Sequence, residues 1–252
     1  MIPIITLSYV ARLLFITLLF ADFGQSNDVP KSKSPGGFVV VELFTSEGCS
    51  SCPAADEAVI ELSKEFPDNV YFLGYHVDYW NYLGWKDEFS SKVFTDRQHE
   101  YANEFKLNSI YTPQVVVNGK KEFVGSDKNK LKRAINEELK NGTASAIELN
   151  AKKDSANHIN VSYKITGSGN GSQLMIAVVQ LMATTNVKRG ENRGHELKHI
   201  NIVRELKMAE IKSSPVQLTV PSGLSAKDIK IVAFMQNKKD LKIVSATETV
   251  IK

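Results

Sequence analysis

Cys49 and Cys52 stand three positions apart, between an apolar run and an amphipathic one, and they are the chain's only cysteines. A disulfide stabilises mainly by removing loop entropy from the unfolded chain, so bridging near neighbours in Cys-Ser-Ser-Cys contributes little. Reactive sulfur chemistry explains the pair better than stapling does. The preceding run, FVVVELF (38–44), is apolar except for Glu42, as suits a strand covered on both faces. The following run, PAADEAVIELSKEF, puts Pro53 near a helix start and Ala55, Val59, Leu62 and Phe66 at helical spacing. A helix N-terminus stabilises a thiolate, the attacking species, through its partial positive charge and unpaired N–H groups. In Cys-x-x-Cys motifs the thiol pKa falls from about 8.5 to between roughly 3.5 and 7.5. Cys49 is therefore read as the nucleophile and Cys52 as the resolving thiol, a reading that requires an accessible sulfur at position 49.

The rest of the chain supplies the frame. VYFLGYHV (70–77) reads as a second strand, DYWNYLGWKDEF as an aromatic stretch, and residues from about Thr95 to Phe105 as a helix. QVVVNGKKEFVG holds two short strands around Asn118-Gly119, a two-residue hairpin signal. DKNKLKRAINEELKNG is helical, with Ser126 as its expected N-cap and Gly142 past its end. From Ala144 the period changes to two, with about seven strand candidates in 144–252, enough for an antiparallel β-sandwich-like domain.

The N-terminus has a different character. Arg12, the apolar run Leu13 to Ala21 and the small polar Gly24-Gln25-Ser26 have the layout of a secretory signal peptide over 1–26, and 27–37 reads as a flexible linker. The expected location is periplasmic or secreted, an oxidising space where disulfides persist. Membrane contact is expected only through an uncleaved signal segment. A net charge of +3 without a Lys/Arg cluster beside stacking aromatics points away from nucleic acid.

Strand, Cys-x-x-Cys-Pro at a helix start, a second strand, then Thr-Pro before a hairpin resembles the thioredoxin superfamily over residues 38–142. The phrases FTSEGCSSCPAAD, HVDYWNYLGWKD, YTPQVVVNG and VKRGENRGHELKHINIVREL resemble, more closely, the exported bacterial family known as domain of unknown function 1223. The fold implied is an α/β thioredoxin-like domain with a mixed sheet and a helical insert at about 79–108, followed by the antiparallel β domain. The resemblance implies that Pro113 is a cis-proline facing the cysteines, that Thr112 tunes reactivity, and that Glu42 is a buried carboxylate serving the resolving cysteine. A Glu at a strand edge facing water is the alternative for Glu42. The implied activity is thiol–disulfide oxidoreduction on thiol- or disulfide-bearing proteins or peptides, with a redox recycling partner and no cofactor beyond the Cys49–Cys52 disulfide.

Cys49 precedes Pro113 by 64 positions, longer than in minimal thioredoxins, which places the insert between the second strand and the proline. Its Tyr79, Trp80, Tyr82 and Trp85 either line a substrate groove or pack the insert. His195 and His199, with the cysteines, raise copper or zinc handling as an alternative function, against a solvated loop or interdomain contact. A non-catalytic binding module on the same fold is a third reading.

Overall fold

The computed structural model describes residues 37–252 except 168, 170 and 212–214; the signal-peptide reading and residues 27–36 of the linker reading lie outside them. In chain order the elements are β1 (Val39–Thr45), α1 (Pro53–Glu65), β2 (Val70–His76), a 3₁₀ turn at Asn81–Leu83, α2 (Lys92–Glu104), β3 (Gln114–Val117), β4 (Lys121–Val124) and α3 (Lys128–Glu138). Only strands follow among the described residues: β5 (Ser145–Lys153), β6 (His158–Gly167), β7 (Ser172–Asn186), β8 (Glu196–Ala209), β9 (Val216–Thr219), β10 (Ile229–Asn237) and β11 (Ile243–Val250).

Every residue of β1 is buried, as its nearly unbroken apolar sequence requires. It pairs in parallel with β2, Val39 opposite Val70, and antiparallel with β3, Phe44 opposite Gln114. Its side chains alternate between two environments. Val39, Val41 and Leu43 pack with Ala55, Val59 and Leu62 of α1 and with Leu131, Ala134 and Ile135 of α3. Val40 and Phe44 join Phe94 and Tyr101 of α2 in a separate cluster. The insert is thus a helix on the face of the sheet away from α1, and it begins earlier than its apolar spacing suggests because Ser91 caps it, its hydroxyl accepting from Val93 N–H. The cap of α3 is Asp127 rather than Ser126, with its carboxylate accepting from Lys130 N–H.

The β3–β4 hairpin turns at Asn118 and Gly119, both at positive φ (49° and 62°), as a primed turn needs. The pairing of Val117 with Lys121 leaves Lys120 unpaired, so the loop has three residues rather than two. Asn118 also accepts from Val40 N–H at 2.7 Å, locking the hairpin to β1. A Cβ on Gly119 would stand 2.1 Å from the carbonyl oxygen of Leu241, between β10 and β11.

That contact reflects the main departure from the expected plan. The strands expected to form a sandwich of their own divide between two sheets. β7, β8, β10 and β11 extend the first half's sheet into one of eight strands, ordered β11-β10-β7-β8-β2-β1-β3-β4, while β5, β6 and β9 form a second, three-stranded antiparallel sheet. The junction is parallel, with Gly74 of β2 opposite Ile202 of β8. Period-two alternation in β7 serves both sides: Met175, Ala177 and Val179 join the cluster containing α2, and Leu174, Ile176 and Val178 pack against Ile147, Ile159, Val161 and Leu218 of the small sheet. No described helix is long and apolar enough to cross a membrane.

Candidate active site

Two successive turns lead from β1 into α1. Cys49 N–H donates to the carbonyl of Ser46 (3.1 Å) and Cys52 N–H to that of Cys49 (3.2 Å), after which Ala55 N–H bonds the Cys52 carbonyl and the helix runs on. Cys52 is the N-cap and Pro53 the first helical residue, where a missing N–H removes no helical bond. Cys49 and Cys52 form a disulfide with Cα atoms 5.4 Å apart, at the positive end of the helix. Ser51 Oγ lies 3.4 Å from Cys49 Sγ.

Ser50 and Ser51 are exposed, but both cysteines are 0% exposed. The accessible sulfur expected at position 49 is therefore not open to solvent in this state, and the cause lies in the second half of the chain. The β7–β8 connection, residues 187–195, lies over the cysteine loop. Asn192, itself buried, donates through Nδ2 to the carbonyls of Glu47 and Cys49, both at 2.9 Å. Glu191 accepts from Ser50 N–H at 3.1 Å, and the Ser50 hydroxyl and N–H together hold its carboxyl below the usual range. The loop is closed on itself by Gly194 N–H to the Val187 carbonyl (2.8 Å) and Val187 N–H to that of His195 (3.0 Å), with Gly190 and Gly194 at φ of 75° and 84°.

The insert braces the same loop from another side. The Thr112–Pro113 bond is cis, and Pro113 is buried with its carbonyl accepting from Gly125 N–H. Trp80 Nε1 donates to Thr112 Oγ1 at 2.8 Å, and Trp80 also abuts Gly48, where a Cβ would meet its Cβ at 3.0 Å. One half-buried tryptophan therefore joins the proline segment, through its indole, to the residue before Cys49, through its Cβ and carbonyl. Trp85 Nε1 donates to Glu47 Oε2 at 2.7 Å and its Cβ lies against Gly190 of the covering loop. Tyr79 bonds Gln98 of α2 and its hydroxyl is pushed up to about 12, mainly by burial. Of the four insert aromatics only Tyr82 is well exposed, at 80%. The other three act here as ties between segments.

Two buried charge clusters lie behind these surfaces. Glu42 is completely buried; Arg97 Nε donates to its Oε1 at 2.6 Å and the Tyr101 hydroxyl to its Oε2, with Arg97 continuing to Gln236 Oε1 at 3.1 Å. A strand edge facing water is thus not its setting, and both of its oxygens are engaged by α2.

The second cluster adjoins the cysteines. Glu47, two residues before Cys49, is 0% exposed; its Oε2 holds Trp85, while its Oε1 has no hydrogen-bond partner and lies 3.6 Å from His199 Nε2. His199 Nδ1 is 3.2 Å from Asp56 Oδ1, and Asp56 Oδ2 accepts from Thr45 Oγ1. Burial alone would lower the His199 pKa, but the Asp56 and Glu47 carboxylates outweigh it and raise it to about 10, so the ring is an imidazolium at neutral pH. Edge-on to it, ring centroids 4.7 Å apart, His76 pairs with Asp87 at 2.6 Å. Burial pushes the Asp87 carboxyl up, yet His76 and the N–H groups of Glu47 and Phe89 more than offset that and hold it low.

Sequence reasoning marked Cys49, Cys52, Thr112, Pro113, Glu42 and the tryptophans, and missed Glu47, Asp56, Arg97 and Asn192. His199 was singled out for metal handling with His195; the structure buries His199 between carboxylates and leaves His195 exposed. Among the described residues no group of three or more His, Cys, Asp or Glu is arranged to hold a metal ion.

The chain matches a family model over residues 40–236, described as a protein of unknown function (DUF1223). The chain belongs to the DUF1223 family. Over 102 residues it is also 33% identical to a thioredoxin of Methanocaldococcus jannaschii and to a probable thioredoxin of Methanothermobacter thermautotrophicus, in each case 40% of this chain and 96% of the relative. The crystal structure of an Agrobacterium tumefaciens protein, 29% identical, superposes with a TM-score of 0.62 over 84% of this chain and 93% of that one. HBP35 of Porphyromonas gingivalis, 18% identical with a TM-score of 0.57 over 86% and 76%, shares the fold. The similarity to thioredoxins together with the Cys49–Cys52 disulfide supports a thioredoxin-like redox role.

Proposed function

We propose that this DUF1223 protein is an exported thiol–disulfide oxidoreductase acting on thiol- or disulfide-bearing proteins or peptides, with a separate partner restoring the redox state of Cys49 and Cys52. The observation that carries the reading is the disulfide at the N-terminus of α1, with Trp80 joining Thr112, beside Pro113, to Gly48, the residue before Cys49. The export part rests on the signal-like segment at 1–26.

In the oxidising direction, a substrate thiolate attacks Cys49 Sγ. The Cys49–Cys52 bond breaks, Cys52 leaves as a thiolate and takes up a proton, and a mixed disulfide to Cys49 forms. A second substrate thiolate then attacks the substrate sulfur of that mixed disulfide, releasing Cys49 as a thiolate and the substrate as a disulfide; two electrons have passed to the protein. In the reducing direction the Cys49 thiolate, favoured by the helix N-terminus, opens a substrate disulfide, and Cys52 displaces the substrate thiol. Both directions need Cys49 Sγ to be reached, so the 187–195 loop must swing away from Cys49 and Ser50 before attack. Substrate entry and loop opening are one event in this reading.

The test is insulin reduction and oxidation of a reduced dithiol peptide by the purified protein, beside Cys49→Ser and Cys52→Ser. Wild-type turnover, none with Cys49→Ser, and accumulation of a mixed disulfide with Cys52→Ser are expected. A Cys49→Ser protein as active as wild type would refute the reading.

A further inference from the structure

The connection that covers the cysteines concentrates positive charge. Residues 187–195, VKRGENRGH, hold three cations, Lys188, Arg189 and Arg193, against one carboxylate, Glu191, a net +2 in a chain whose whole sum is +3. All three cations are exposed, and among the described residues none is in an ion pair or a side-chain hydrogen bond. The one carboxylate does not neutralise them, because it is turned onto Ser50 N–H at the edge of the disulfide. Exposed Lys86 follows Trp85, whose Cβ stands against Gly190, so the insert brings a further unpaired cation alongside the loop.

The acidic groups nearest the cysteine motif are already matched. Glu61 and Glu65 of α1 are held by Lys128 and Lys132 of α3, with Glu57 acting on Lys128 as well, and Asp56 faces His199. Just past the loop, exposed Glu196 and Lys198 at the start of β8 offset each other in charge. The loop's positive charge is left for something outside the chain.

We propose that the covering loop selects substrates by charge: Lys188, Arg189 and Arg193 are specificity-determining residues that receive an acidic segment beside the cysteine of a thiol- or disulfide-bearing peptide or protein. The inference rests on the oxidoreductase reading above and narrows its substrate class. Position carries the argument. Asn192 and Glu191 tie the loop to residues 47, 49 and 50, so a substrate that reaches Cys49 Sγ passes beside these cations. A carboxylate arriving there gains attraction with no internal ion pair to break. The loop's own Glu191 occupies Ser50 N–H, a contact that an incoming Asp or Glu side chain takes over like for like. A basic segment meets like charge in the same place, which slows encounter and opposes docking.

The test uses the oxidised protein and three dithiol peptides of one sequence, differing only in Glu, Gln or Lys on either side of the cysteines. Second-order rate constants for reduction of the protein disulfide are compared per peptide thiolate, which removes the effect of the flanking charges on the peptide's own thiols. At low ionic strength the Glu peptide is expected to react roughly tenfold faster than the Gln peptide, and the Lys peptide roughly tenfold slower. In 1 M salt, where the Debye length is about 3 Å, the three should agree within about twofold. Arg189→Glu with Arg193→Glu is expected to invert the order. Lys152→Glu with Lys153→Glu, exposed on β5, makes the same change in net charge away from the loop and is expected to keep it. Equal rates for the three peptides in wild type, with the Gln peptide reacting, overturn this inference alone. Inversion by the β5 variant also overturns it, since net charge and not the loop then sets the preference. The wild-type series and its salt dependence decide the matter even where the loop variant fails to fold. No reaction of wild type with any of the peptides overturns the oxidoreductase reading itself, and this inference with it.

Discussion

Asn192 offers the sharpest test of whether the second half of the chain controls access to the disulfide. Its amide makes two hydrogen bonds to main-chain carbonyls of the cysteine loop, each 2.9 Å and both buried. Each intramolecular hydrogen bond contributes about 0.5–1.5 kcal/mol net, so Asn192→Ala should weaken the closed loop by about 2 kcal/mol. At about 1.4 kcal/mol per factor of ten, the open population rises roughly thirtyfold. With opening as a pre-equilibrium ahead of attack, the rate of disulfide reduction by dithiothreitol rises by the same factor until opening itself limits it. Trp80 and Trp85, the protein's two tryptophans, both contact this region, so intrinsic fluorescence under stopped flow follows the reaction. Glu191→Ala, which removes one solvent-exposed contact, should change the rate by less than about threefold. A melting temperature measured alongside separates local opening from global destabilisation. If Asn192→Ala reduces no faster than wild type while remaining folded, the loop is not the barrier and the buried sulfur is reached by another route.

Two further outcomes follow from the buried charges. His199 has a folded-state pKa of about 10 against about 6.5 when unfolded, so its stabilisation is complete below about pH 6.5 and is lost as pH rises through about 10. Wild-type melting temperature should therefore fall between pH 7 and 10, by an amount equivalent to a few kcal/mol, and His199→Gln should flatten that slope; an unchanged slope would show that another group sets it. Arg97→Met leaves the Glu42 carboxylate buried beside an apolar side chain, which should cost about 3–5 kcal/mol in urea unfolding, and Glu42→Gln in the same chain should recover part of it. A loss below about 1 kcal/mol in the single variant contradicts the pairing.

What could be read from the residues follows the range over which each signal acts. The strand leading into Cys-Ser-Ser-Cys-Pro, the helix that motif opens and the hairpin turning at Asn118-Gly119 depend on chemistry within a few positions, and all three lie where the sequence puts them, the hairpin loop being one residue longer. The period-two pattern located the later strands but carries no information about which neighbour each one pairs with. A buried parallel neighbour for β2 and a sandwich strand have the same alternation, so the continuation of one sheet through β8 was invisible. VKRGENRGH is largely polar and glycine-punctuated, as a solvent loop would be, and most of its side chains are indeed exposed; the buried Asn192, 143 positions from the carbonyl of Cys49 it holds, leaves no local trace. Glu42 was placed in the interior through resemblance, while its partner Arg97 sits on an insert helix that the sequence marks only as a helix, 55 positions away.

The joining of β8 to β2 ties these points to function. β8 delivers His199 to Asp56 and Glu47, and the connection entering β8 delivers Asn192 and Glu191 to the cysteine loop. Cover and counter-charge thus arrive on one continuous stretch, from Val187 to His199, leading into a strand paired antiparallel with β7 and parallel with β2. A minimal domain ending after α3 would leave β2 as a sheet edge, the disulfide uncovered and Glu47 buried beside no cation. A buried carboxylate without its counter-charge is costly, which ties stability at the cysteine loop to the presence of the β strands. The second half is therefore part of the site's electrostatics as well as its lid, and changes in β8 that tilt His199 away should be felt at the sulfurs even where the thioredoxin-like half is untouched.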